Sequence, residues 1–138
     1  SQGIRFETDN ANAVASAISI LDVGVGVIQA STSTGGNISN IACKGLFGVD
    51  CLSIGGSNLI ISSLTADNVA SSTRILDVES SAVNLVINGG KLTDNSGNNQ
   101  AVRINSGATN SALYNIDIIG GIVGDGGTAT VQDNVRLL

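Results

Sequence analysis

The sequence predicts an all-β fold, a single-stranded parallel β-helix (solenoid) of about six coils with three short strands in each, occupying residues 1–138 as one domain. Three observations predict it. A short apolar-polar alternation returns every 24 to 27 residues, asparagine recurs at one place in the repeat, and the core has almost no large rings, with 42% hydrophobic but only 2% aromatic residues. A repeat of this length is the mark of stacked supersecondary units. A core of Val, Ile, Leu and Ala without bulky anchors suits thin, identical layers.

The first strand of each coil is a tetrad in which apolar positions alternate with outward ones. The copies are Ile4-Arg5-Phe6-Glu7, Ile28-Gln29-Ala30-Ser31, Leu52-Ser53-Ile54-Gly55, Leu76-Asp77-Val78-Glu79, Val102-Arg103-Ile104-Asn105 and Ala129-Thr130-Val131-Gln132. Period-two alternation is what a strand with one buried face demands.

A second strand recurs as Ile18-Ser19-Ile20, Ile41-Ala42-Cys43, Leu59-Ile60-Ile61, Leu85-Val86-Ile87 and Ile116-Asp117-Ile118. Asn40, Asn58, Asn84 and Asn115 stand immediately before the last four, and Ala17 before the first. Asn tolerates the left-handed conformation of a sharp bend, and its amide can bond the amide stacked above it, so these positions predict one asparagine ladder.

A third strand is expected around Leu46, Leu64, Leu92 and Val123, closing at Asp50, Asp67, Asp94 and Asp125. The aspartates are read as local turn formers rather than a calcium ladder. The Gly-Gly pairs at 35–36, 55–56, 89–90, 120–121 and 126–127 are read as bends of positive φ, because none is followed by the Lys-Ser/Thr of a nucleotide loop. Six coils at the spacing of hydrogen-bonded strands make a rod about 25–30 Å long.

Charge and composition exclude several functions. A net charge of −5 and a pI near 4.2 argue against a nucleic-acid partner, which needs clustered Lys and Arg. Apolar runs such as 13–23 are interrupted and too short to enter a bilayer. The chain has no Met, so it is expected to be a piece of a longer protein. Without His, no serine- or cysteine-histidine mechanism operates, and no metal or other cofactor is expected. Of the two cysteines, Cys43 reads as a small buried hydrophobe, although pairing with Cys51 is open to it.

The stacked tetrads and the asparagine before the second strand resemble the right-handed β-helices of pectate-lyase-like proteins, which include phage tailspikes, polysaccharide lyases, polygalacturonases and some bacterial adhesins. The few aromatics and charges, the Ser/Thr/Asn/Gly-rich surface and the short turns are most similar to a tailspike segment. The resemblance implies a right-handed helix, a soluble extracellular home in a virion tail, side-by-side assembly as a homotrimer and a role in host-polysaccharide recognition. The abruptly apolar stretch 135–138, without a polar cap, fits surfaces covered by neighbouring subunits or domains. A polysaccharide lyase or glycosidase is the alternative, and a surface adhesin a third.

Because lyases of that group use Arg or Lys with acidic partners, and its hydrolases use carboxylates, the candidate catalytic residues are Asp77, Glu79 and Arg103. Asp77 and Glu79 are expected on one face about 7 Å apart, a separation seen in inverting glycosidases, with Arg103 one coil along. A cross-strand charge pair on a solvated sheet explains the same pattern, and the enzyme reading is the weaker one. Amides of the longer loops, Asn95, Asn98, Asn99, Gln100, Asn105 and Asn110, are the candidate ligand-binding residues, because they suit sugar hydroxyls.

Overall fold

In a computed structural model of the chain, residues 2–6, 11–21, 25–29, 34–46, 50–68, 74–95 and 100–138 are described. They form an all-β parallel solenoid of about four turns with no helix. One sheet stacks β1 (Gln2–Phe6), β3 (Val25–Gln29), β5 (Leu52–Ile54), β7 (Leu76–Val78), β9 (Gln100–Ile104) and β11 (Ile122–Asp125) in that order. The other stacks β2 (Ala11–Leu21), β4 (Thr34–Leu46), β6 (Ser57–Asn68), β8 (Val86–Asp94), β10 (Ala112–Ile119) and β12 (Val131–Leu137). We call them the short-strand and long-strand sheets. Every neighbouring pair is parallel, as a chain that always circles in one sense requires.

The core is a stack of aligned aliphatic rows between the two sheets. Ile38, Ile61, Ile87 and Leu113 form one row, and Leu52, Leu76 and Val102 face them from the short-strand sheet, all at most 1% exposed. Each such Ile or Leu contributes about 1.5–3 kcal/mol by leaving water. At Gly90 the row of Ile41, Leu64 and Ile116 loses its side chain, because a Cβ there would come within 2.7 Å of the Leu64 carbonyl oxygen.

Two columns of left-handed residues make the corners. The first runs Asn12, Gly35, Asn58, Asn84, Asn110 and Ala129, at the entry to the long strands, and the second runs Ala17, Asn40, Ser63, Gly89, Asn115 and Asn134, inside them. All twelve have φ between 53° and 79°. Amide stacking joins them: Asn84 Nδ2 donates to Asn58 Oδ1 at 2.9 Å, Asn110 to Asn84 at 3.2 Å and Asn134 to Asn115 at 2.8 Å.

The repeat was legible, and its register was partly misread. Val27, not Ile28, aligns with Leu52, because each short strand is entered through two successive inward residues, such as Cys51-Leu52 and Ile75-Leu76, which blurs the alternation. The last tetrad is not a first strand: Val123 aligns with Val102, while Ala129 tops a corner column. The single expected asparagine ladder is two columns, so Ile41-Ala42-Cys43 stacks on Leu64-Thr65-Ala66 and not on Leu59-Ile60-Ile61. Nor are there three separate strands per coil. In β4, β6 and β8 the second and third merge into one long strand bent at the second column, since a left-handed residue turns the chain without breaking the ladder, whereas Val123, expected in a third strand, lies in β11 of the short-strand sheet.

The expected row of aspartates also dissolves. Asp67 pairs in register with Thr93, Asp94 with Asn68, and Asp125 with Ile104 in the other sheet. One residue in each of three Gly-Gly pairs has positive φ, at Gly56, Gly89 and Gly120, both do at 35–36, and neither does at 126–127, which is therefore not the positive-φ bend expected. Cys43 is buried as expected but is not a free thiol: it is disulfide-bonded to Cys51, Cα to Cα 6.0 Å. The bond ties the long-strand sheet to the short-strand sheet within one turn. Cys43 is buried near the end of β4, just before a register shift between Lys44 and Leu46, and Cys51 is buried immediately before β5.

Candidate functional site

The outward face of the short-strand sheet gathers a connected group of charged and polar side chains. Ser53, Asp77 and Arg103 occupy one register row across β5, β7 and β9, and Glu79 and Asn105 leave the strands two residues further on. Because strand alternation sends these five outward while Ile54, Val78 and Ile104 go inward, the row is fixed by the core beneath it.

Asp77 is the centre of the group. It is only 7% exposed, and its carboxylate accepts Arg103 Nε at 2.9 Å through Oδ1, a second Arg103 donor through Oδ2, and Asn105 Nδ2 at 2.7 Å. Asn105 also donates to the Val78 carbonyl at 2.8 Å, which locks its amide in place. The side-chain hydrogen bonds to Asp77 hold the Arg103 guanidinium above its ordinary value, against the cost of burial. Glu79 sits outside this fork and accepts the Ser53 hydroxyl at 2.7 Å.

One rung edge away, Asp50 accepts the Arg74 backbone N–H at 2.8 Å. Burial pushes its carboxyl above the ordinary 3.8, the Arg74 hydrogen bond opposes this, and the Asp77 charge adds to the rise. Asp77, Glu79, Ser80, Arg103, Asn105 and Ser106 together line an open groove across the stacked rungs. Among the described residues, no three His, Cys, Asp or Glu side chains are grouped to hold a metal ion.

The structure therefore brings Asp77, Glu79 and Arg103 together with Asn105. It does not bring in the other amides. Asn110 lies in the first corner column, bonded to Asn84, and Asn95 donates to Asp67 Oδ1 at 2.7 Å on the long-strand side. Gln100 opens β9, where its amide fills the space over Gly124. Asn98 and Asn99 lie outside the described residues. Sequence reasoning missed Ser53, Ser80, Ser106 and Asp50. The tetrad alignment placed Ser53 next to Asp77, but its bond runs diagonally to Glu79, which alternation alone does not reveal. Asp50 was read as a turn former.

No helix of the described residues is long and apolar enough to cross a membrane, and the buried disulfide is consistent with an oxidising, extracellular setting. Compared with protein-family models, with curated proteins and with solved structures, the chain shows no match to any of them.

Proposed function

We propose that this chain is a structural and recognition module of a phage tailspike or tail fibre, a right-handed β-helix of six coils that binds host surface polysaccharide, or supports its binding, as part of a homotrimer. The observation that carries the proposal is the groove around Asp77. Arg103 neutralises Asp77 and leaves Glu79 as the one net charge, the amide of Asn105 and the hydroxyls of Ser80 and Ser106 stand just past the ends of β7 and β9, and the groove runs across successive rungs, as a linear glycan would need. Carbohydrate contact here rests on hydrogen bonds, because no aromatic platform lines the groove.

The test pairs two measurements. Light scattering of the eluting protein is expected to give three times 13.8 kDa. A panel of bacterial surface polysaccharides is expected to contain one that binds the wild type and binds Asn105→Ala at least about tenfold more weakly. Loss of about 1.4 kcal/mol is that tenfold. A stable monomer that binds no glycan overturns the proposal.

The enzyme reading keeps one observation in its favour. Asp50, with its raised carboxyl, and Asp77, engaged by Arg103 and Asn105, are two acids in contrasting surroundings, the arrangement by which proton donor and charged partner are separated. Release of reducing ends or unsaturated sugars by the wild type but not by Asp50→Asn would establish it.

A further inference from the structure

The two lysines of the chain, Lys44 and Lys91, meet on the outward face of the other sheet, far from the Asp77 network in the register of the fold. The row Ala42, Thr65, Lys91 lies beside the row Lys44, Asp67, Thr93, so the lysines stand at diagonal corners of a six-residue patch spanning β4, β6 and β8. Two rungs and two residues separate their backbones, about 12 Å. Between them Ala42 leaves the floor low, and the six residues line a groove whose inner wall is disulfide-bonded Cys43.

The lysines are unlike Arg103 and Arg136. Arg103 is forked onto Asp77 and Arg136 onto Asp117, whereas neither lysine has an ion-pair partner among the described residues. Of the acids in register with the lysines, Asp117 is paired with an arginine, and Asp67 keeps its charge while accepting one neutral amide. Asp117, one rung from Lys91, takes both donors of Arg136, and Asp67, one rung from Lys44, takes the Asn95 amide. Two ammonium groups are thus left to the groove, with Thr65, Thr93 and Asp67 between and beside them.

An ammonium binds a sulfate or phosphate oxyanion as a point charge with three rotatable donors, without the fixed bidentate geometry an arginine would impose. Asp67 repels a bare anion but accepts hydroxyl donors. We propose that this groove binds a polyhydroxylated chain carrying sulfate or phosphate esters, one ester at each lysine, with intervening hydroxyls donated to Asp67. The proposal is independent of the Asp77 groove, and its test reads different residues.

The test is calorimetric titration of the full chain with four probes: a sulfated dextran oligosaccharide, a phosphorylated one of equal length, the unmodified oligosaccharide, and sodium sulfate. One or both ester-bearing probes are expected to bind, which identifies the ester, and raising NaCl from about 20 to 200 mM is expected to weaken that binding. Lys44→Gln/Lys91→Gln is expected to weaken it at least tenfold, each single variant less, and Asp67→Asn to strengthen binding of sodium sulfate. These side chains lie on the outward face, and an unchanged circular dichroism spectrum establishes that the variants are folded. The proposal is overturned if neither ester-bearing probe binds, if the double variant binds as the wild type does, or if sodium sulfate or the unmodified oligosaccharide binds as tightly as the esters.

Discussion

Arg103 grips Asp77 from the next rung of the same sheet, two parallel donors on one carboxylate, and it does so over a strand whose inner face is fully buried. The pair is half fold and half site. Breaking it leaves a carboxylate with a 9% exposed side chain without its counter-charge. Arg103→Ala is therefore expected to lower unfolding stability by about 2 kcal/mol, less than a fully buried pair would, because the arginine side chain is itself 33% exposed. Urea denaturation measures it. Arg103→Lys, which keeps the charge and loses the fork, should recover only part of the loss.

Asp50 makes the opposite kind of prediction. Its folded carboxyl is raised above the ordinary 3.8, so between that value and the raised one the folded chain holds more proton than the unfolded chain. Stability then falls as pH rises through this window and levels off above it. Asp50→Asn keeps an acceptor for the Arg74 N–H and removes the titration. The variant should be the more stable protein near neutral pH, with the gap closing below the ordinary value. Thermal melts of both proteins across acid pH check the sign.

The corner columns predict a stabilising change. Ser63 holds a φ of 58° between Asn40 and Gly89 without being one of the residues that adopt it readily. Ser63→Asn should raise stability by about 0.5–1 kcal/mol, through easier left-handed backbone and a new amide for Asn40 to stack against. No change in midpoint on denaturation would show that the serine backbone is already relaxed.

Gly90 should tolerate nothing larger. Gly90→Ala places a methyl 2.7 Å from the Leu64 carbonyl in the rung beneath, and about 1–3 kcal/mol of stability is expected to be lost as β6 and β8 are forced apart. Gly89, its neighbour at positive φ, offers a contrast, since the nearest atom to a Cβ there is 3.9 Å away. Gly89→Asn is accordingly expected to cost far less.

Alternation and period were enough to read a parallel solenoid from Leu52, Leu76 and Val102, whose rows are buried as expected. They were not enough to fix where a coil turns. Asn58 and Asn40 look equivalent in the sequence, each followed by an apolar residue, yet they occupy different corners, because either corner accepts any residue that bears a positive φ. Ala17, Ser63 and Gly89 carry no common signal for that demand. For the site, Asp77 with Arg103 was legible as a cross-strand charge pair, and Asn105 as an amide, but not the bond from Asn105 to Asp77. The Cys43–Cys51 bridge was open to pairing and read otherwise, since eight residues of sequence separation say nothing about two sheets meeting at a corner.

The two left-handed columns also govern how this chain makes mistakes. A strand sliding by one residue against its neighbour would move Ile18, Ile41 or Ile116, each next to a second-column residue, into a backbone conformation that branched side chains strongly avoid. Small slips are thereby forbidden locally, before any core contact is lost. The remaining low-cost error is displacement by a whole repeat, which restores every corner and every inward row at once. Misassembly of such a chain should yield species differing in length by one rung, a discrete set of impostors rather than a continuum of loosened forms.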